Sequence, residues 1–152
     1  ITIIEFEKKH AGIFKSLNEA WITKYFKIES EDLLILNNPY NYIIKPGGKI
    51  IFASFNNEIA GTCALLRKSE THYELAKMAV SEKYQGNLIG KNLGQVAIDR
   101  VKQLGGRRIT LETSSLLIPA ISLYRKLGFK KLENNSCASV YARADVQMAL
   151  IL

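Results

Sequence analysis

Two apolar periods share this chain. Ile1–Phe6 (ITIIEF) is short and β-branched and predicts a first strand. Between Ala11 and Phe26 the period stretches, with Ile13, Leu17 and Trp21 at i, i+4 and i+8, which is one face of a helix. Ser30–Leu36 predicts a short second helix with Ser30 as N-cap and Leu33 and Leu34 packed inward. Pro39, Pro46 and the Gly47–Gly48 pair make Asn37–Gly48 a loop. Two β-rich runs, Lys49–Phe55 and Glu58–Lys68, flank Asn56 and Asn57, residues that accept the positive φ of a tight hairpin turn. Tyr73–Val80 (YELAKMAV) predicts a further strand, antiparallel to its predecessor. Over Ile89–Leu104 the helical period returns. Leu93, Ala97, Val101 and Leu104 line one side while Asn92, Gln95, Asp99 and Lys102 face away, and Gly105–Gly106 ends the run. Arg108–Thr113 (RITLET) is a strand, Pro119 opens another helix as its first residue and Gly128 closes it. Phe129–Glu133 and Asp145–Leu150 are the last strands. The order β-α-α-β-β-β-α-β-α-β-β belongs to an α/β (α+β) domain, a mixed sheet flanked by helices.

A length of 152 residues fits a single domain over 1–152. Hydrophobic residues at 47% and charged residues at 23% exclude long disorder. No apolar run approaches the roughly 18 residues that cross a bilayer, and no stretch resembles a signal peptide. A chain beginning at Ile1 implies that a short segment precedes it. The two cysteines, Cys63 and Cys137, lack CxxC spacing and clustered histidines, which predicts a cytoplasmic protein with no metal, and no membrane partner is expected. The net charge of +7 favours an anionic partner, be it nucleic acid, acidic lipid or a phosphate-bearing cofactor, and equally serves solubility. Helix-turn-helix, aromatic RNA-binding and long basic signals are all missing, so no nucleic-acid partner is expected.

The informative segment is Tyr84–Asn92 (YQGNLIGKN), directly after a strand and directly before an amphipathic helix. A glycine-bearing turn feeding a helix start aims free backbone N–H groups and the positive helix end at one point, a cradle for phosphate. A Walker A loop does not fit, because Gly86 and Gly90 are one residue too close and Asn92 stands where its hydroxyl ligand would be approached. A Rossmann turn does not fit either, since the preceding strands form a meander rather than a βαβ unit.

Gln85, Gly86, Asn87, Leu88, Ile89 and Gly90 resemble the Gln/Arg-x-x-Gly-x-Gly/Ala loop of the GNAT superfamily of N-acetyltransferases, and Ala120–Phe129 (AISLYRKLGF) resembles its A-x-x-L-Y-x-x-x-G-F segment. The resemblance implies the acyl-CoA N-acyltransferase fold with a mostly antiparallel sheet, and acetyl-CoA as acyl donor. It places the pantetheine arm against the backbone of Met78, Ala79 and Val80. The pyrophosphate then takes N–H groups from Gln85 through Lys91, and Ser115, Ala120 and Tyr124 complete the cofactor set. Lys83 and Lys91 are candidates for added charge, or plain solvated lysines. Two departures stand out. Leu88 occupies the loop's middle glycine, a strained place only if the turn needs φ > 0, and Leu117 stands where many members have an asparagine touching CoA.

By the same resemblance Tyr124 protonates the leaving thiolate, Glu74 is the general base, directly or through water, and the Met78 N–H meets the developing oxyanion. A core phenol and a solvent-facing or substrate-binding carboxylate are the alternatives for the first two. Lys77 should snorkel to an edge, opposite to Glu74 in the strand alternation. His72 is a second candidate base or a turn histidine, and His10 has no assigned role. Aromatic residues Trp21, Tyr25, Phe26, Tyr40 and Tyr42 could wall an amine pocket, with Trp21 rather in the core. Glu29, Glu31 and Asp32 could greet a cation or simply suit a helix start, and Tyr141 and Arg143 could close on a substrate carboxylate. The expected activity is acetyl transfer from acetyl-CoA to a primary amine of a small-molecule or amino-acid-like acceptor in a ternary complex. A protein lysine or N-terminal acetyltransferase and a non-catalytic acyl-CoA-binding module are the alternatives. The fold commonly dimerises, and the apolar last strand (VQMALIL) is the candidate homodimer contact or the last core strand.

Overall fold

The computed structural model describes residues 1–133 and 139–152, which leaves Cys137 outside the described residues. Seven strands form one sheet in the order β1-β2-β3-β4-β5-β7-β6. They are β1 (Thr2–Glu5), β2 (Lys49–Phe55), β3 (Glu58–Arg67), β4 (His72–Val80), β5 (Arg108–Thr113), β6 (Lys130–Lys131) and β7 (Val146–Ile151). All pairings are antiparallel except β4 with β5. The helices are α1 (Ala11–Tyr25), α2 (Ser30–Asn37), α3 (Ile89–Gln103) and α4 (Ile118–Lys126). One face of the sheet buries Leu93, Ala97 and Val101 of α3 and Tyr124 of α4 against Cys63, Leu75, Ile109 and Met148. The other buries Phe14 and Ile22 of α1 and Ile35 and Leu36 of α2 against Ile50, Phe52 and Ala64.

The turn between β2 and β3 follows its asparagines, with φ of +52° at Asn56 and +63° at Asn57. Gly105 (φ +83°) and Gly128 (φ +106°) end α3 and α4 as left-handed caps. Several boundaries differ from the expectation. The buried face of α1 runs through Phe14, Asn18 and Ile22, one residue on from Ile13, Leu17 and Trp21, which are half-buried. Asn18 joins that face by donating to the Phe14 carbonyl (3.0 Å) and accepting from Trp21 Nε1 (3.1 Å). In α2 the cap is Glu29, not Ser30, and Asp32, Ile35 and Leu36 point inward while Leu33 and Leu34 are exposed. Tyr40–Ile44, expected as loop, is a wide helical turn that buries Ile43. Leu104 is the exposed C-cap of α3. Pro119 follows Ile118 as the second helical residue of α4. The expected strand at Phe129–Glu133 contracts to Lys130–Lys131.

Candidate active site

The site lies where β4 and β5 separate. Their parallel ladder holds only from His72↔Arg108 to Glu74↔Thr110, so among the described residues the edge of β4 from Leu75 to Val80 has no strand partner on that side. On the β3 side the register passes from Ala64↔Ala76 to Thr62↔Ala79. Lys77 and Met78 therefore face Cys63 together, a bulge with Lys77 at φ +54°. A slot with an unpaired strand edge accepts an extended ligand by adding its amide groups to that edge.

At the end of the slot α3 begins without a side-chain cap. Among the described residues no acceptor takes the backbone N–H groups of Gly86, Leu88, Ile89, Gly90 or Lys91. Five free donors and the positive end of a 15-residue helix fit a pyrophosphate. The cap residue is Leu88 in the left-handed region (φ +60°, ψ +20°), so the turn does need positive φ there, and its side chain is 67% exposed. Asn87 and Asn92 brace the turn by donating to the Tyr84 (3.0 Å) and Leu88 (2.9 Å) carbonyls, and Gln85 reaches the Val80 carbonyl at 3.5 Å. Gly90 and Gly94 let α4 pack against α3, since a Cβ at Gly94 would fall 2.4 Å from Leu127 and one at Gly90 would fall 3.2 Å from Leu123. Lys83 is engaged with Glu58 (3.1 Å), which also accepts from the Tyr84 hydroxyl, whereas Lys91 is exposed.

Tyr124 is 9% exposed, edge-on to Phe129 at 6.1 Å. Its hydroxyl has no hydrogen-bond partner among the described residues, and burial next to Cys63 pushes the phenol well above its ordinary value. Burial likewise pushes the Cys63 thiol up to about 12. Glu74 shares a face with Thr110 and Glu112 of β5, opposite the buried Ile109 and Leu111. Burial raises its carboxyl above the usual value, with Lys68 at 3.2 Å opposing the rise and Glu112 adding to it. His72 Nε2 lies 2.7 Å from Thr110 Oγ1, and burial lowers its pKa. His10 accepts the Glu7 N–H (3.0 Å). Ser115, expected at the cofactor, donates its N–H and hydroxyl to Asp145 (2.7 and 2.6 Å), and Ala120 packs against the core.

Lys77 does not snorkel. The bulge turns it to the α2 side, where its ammonium is buried and donates to Asp32 Oδ1 (2.9 Å) and the Tyr141 hydroxyl (3.1 Å). Asp32 is fully buried and accepts two further bonds from Arg143 (2.8 and 2.6 Å) and one from the Glu29 N–H (2.9 Å). Burial alone would raise the Asp32 carboxyl, but the Arg143, Glu29 and Lys77 donors overcome it and hold the group at about 2. Glu29 accepts from the Ala142 N–H (3.0 Å) and from Arg143 (3.3 Å). Arg143 lies over the Tyr141 (4.5 Å) and Trp21 (5.5 Å) rings. Asp32, Glu29, Tyr141 and Arg143 are thus spent on one another and are not free for a substrate's charges. Tyr25, Tyr40 and Tyr42 are exposed, and Lys24 and Lys8 stack on the first two. This cluster was hidden because a bulge, invisible in the alternation, reverses the side on which Lys77 emerges.

Among the described residues no helix is long and apolar enough to cross a membrane and no group of three metal-ligating side chains occurs. The profile of the acetyltransferase (GNAT) family matches residues 13–129. An uncharacterized N-acetyltransferase of Bacillus subtilis, YvbK, is 34% identical over 105 residues, 67% of this chain and 68% of that one. A GNAT-family acetyltransferase of Staphylococcus aureus superposes with a TM-score of 0.87 at 23% identity, covering 97% of this chain and 96% of that one. An aminoglycoside 6'-N-acetyltransferase complexed with coenzyme A superposes at 0.69 with 18% identity, over 99% and 97% of the two chains. The two structural likenesses show the fold. The profile match, which spans most of the chain, shows the family: this protein belongs to the GNAT acetyltransferases and is an acetyl-CoA-dependent N-acetyltransferase.

Proposed function

We propose that the protein moves the acetyl group of acetyl-CoA to the primary amine of a small-molecule or amino-acid-like acceptor, by direct attack while both are bound. The observation that carries this reading is the continuity of the unpaired β4 edge with the uncapped start of α3. The donor's pantetheine amides pair with Met78, Ala79 and Val80, and its pyrophosphate takes the free N–H groups of Gly86, Leu88, Ile89, Gly90 and Lys91, those of Gln85 and Asn87 being held by the Glu82 and Tyr84 carbonyls. Bound there, acetyl-CoA supplies an activated thioester.

The chain's residues then divide the proton work. Glu74, whose pKa burial raises, takes a proton from the acceptor's ammonium, directly or through water, and passes it to solvent, so that the neutral amine attacks the thioester carbon. As the N–C bond forms and the C–S bond breaks, the Met78 N–H faces the oxygen on which charge collects. Tyr124, kept protonated by burial, gives its proton to the departing sulfur and is restored by the second proton, which the nitrogen sheds as the amide forms. The bridge between the 139–145 segment and α2 supports a small acceptor. That bridge opposes an extended chain threading past Glu74, and so favours a small amine over a lysine within a protein. We assign these roles to one catalytic domain over 1–152, cytoplasmic and without a metal.

Calorimetric titration with acetyl-CoA, with free CoA as control, tests the donor site. Thiol release across a panel of small amines, amino acids and lysine or N-terminal peptides tests the acceptor. Micromolar donor binding with turnover confined to small amines supports the proposal. Turnover of lysine peptides alone refutes the acceptor class, and binding without any turnover points to a non-catalytic acyl-CoA-binding module.

A further inference from the structure

Lys77 sits in a conformation that lysine has no reason of its own to adopt. Among the described residues four non-glycines have positive φ, and two of them are the asparagines of the β2–β3 turn. Lys77, at φ +54°, is held inside a strand, at the bulge that precedes Met78. A Cβ disfavours that region, and the ammonium of a lysine only 8% exposed requires partners to be tolerated. Both demands are met by the same side chain. Its Nζ donates to Asp32 (2.9 Å) and Tyr141 (3.1 Å) and lies 4.7 Å from the Tyr141 ring centre. Asp32 is fixed in turn by Arg143 and by the Glu29 N–H. Residues from α2, β4 and the 139–145 segment thus converge on one backbone distortion, where β4, already past the end of its β5 ladder, slips its register against β3 before pairing resumes at Ala79.

We infer that Lys77 is a positioning residue for acetyl transfer: anchored by Asp32 and Tyr141, it holds the β4 bulge so that the Met78 N–H is aimed into the slot. The inference rests on the transfer reading of that slot. It joins the two halves of the site mechanically, because the groups that fasten the acceptor side, Asp32 and Tyr141, are those that hold the backbone on the donor side.

Lys77→Met removes the anchor and keeps the chain length, while Lys77→Gly removes the anchor but makes the left-handed conformation free of strain. Asp32 keeps its two Arg143 bonds in either variant, so both retain a compensated carboxylate. A misaimed oxyanion donor lowers turnover without weakening ground-state binding, so Lys77→Met is expected to lose about 10-fold or more in kcat with KM values within about 3-fold. Lys77→Gly is expected to recover at least about a third of the lost rate, since it needs no anchor to hold the turn. Amide hydrogen exchange over 76–80 reads the bulge without activity, and should be faster in Lys77→Met and close to wild type in Lys77→Gly. Unchanged kcat and exchange in Lys77→Met overturn the inference. Equal losses in both variants also overturn it, because the ammonium rather than the backbone would then matter. A wild type that turns over no amine fails the transfer reading itself, and unchanged exchange in Lys77→Met would separately show that the bulge needs no anchor.

Discussion

Leu88 offers the cleanest test of how the phosphate turn is built. Its φ of +60° and ψ of +20° put a branched side chain in the left-handed region, while 67% exposure leaves that side chain little packing to lose. Leu88→Ala and Leu88→Gly remove the same contacts and differ only in the Cβ. At an ordinary position alanine is the more stable of the two by about 0.4–1 kcal/mol, because glycine loosens the unfolded chain. Here the Cβ itself costs roughly 1–2 kcal/mol. The sign therefore reverses, and glycine should be the more stable by about 0.5–1 kcal/mol. For a chain of this size that is a Tm difference of about 1–4 °C in glycine's favour, read by circular dichroism. Calorimetry should give Leu88→Gly a CoA affinity within about 2-fold of wild type, because the backbone N–H groups keep their aim. An alanine variant more stable than the glycine variant would refute the left-handed turn at 88.

Tyr124→Phe should bind CoA as wild type does and lose about 100-fold or more in kcat, measured by thiol release. Unchanged turnover would remove the phenol from the reaction. Glu74 must be ionised to act, and burial lifts its pKa above the ordinary 4.5, so kcat/KM should rise with pH through a limb lying above that value. Glu74→Gln should lose about 100-fold and the limb with it. Asp32 is held at about 2 against an ordinary 3.8, so its contribution is full above about pH 4 and is lost as pH falls from there toward 2. The contribution is on the order of 2 kcal/mol. Thermal melts from pH 7 to 2 should show it, with Asp32→Asn lower at neutral pH and flatter on the acid side.

Much of this was legible because local rules and the global fold agree. The paired asparagines at 56 and 57, the glycine stops at 105 and 128 and the 3.6 period of α3 each act within a few residues of themselves. The turn from β4 into α3 was legible for the same reason, being a sequence-local device between a strand and a helix. What escaped was non-local. The inward face of α2 is set by Asp32, whose burial is tolerable only because Arg143 and Lys77 reach it from 111 and 45 residues away. Leu33 and Leu34, the obvious inward pair by composition, are displaced to the surface by that ionic anchor. The rotation of α1 is subtler, since a buried asparagine that satisfies its own amide reads as a polar position in any periodic count.

The left-handed residues show how the two kinds of information meet. Asn56 and Asn57 stand in a hairpin where their side chains make such angles cheap, and they carry no part of the site. Lys77 and Leu88 are the costly ones, and they stand at the two places where the proposed function has backbone N–H groups face the donor: the bulge beside Met78 and the cap of α3. Backbone strain is kept where a surrounding structure over-determines it. At Lys77 that structure is the buried Asp32–Arg143–Tyr141 cluster, and at Leu88 it is the bracing of the turn by Asn87 and Asn92. On the proposed reading, the strain at these two points follows from aiming donors at a ligand. A substitution that removes the bracing at either residue while leaving its side chain in the left-handed region should therefore change the reaction before it changes the fold.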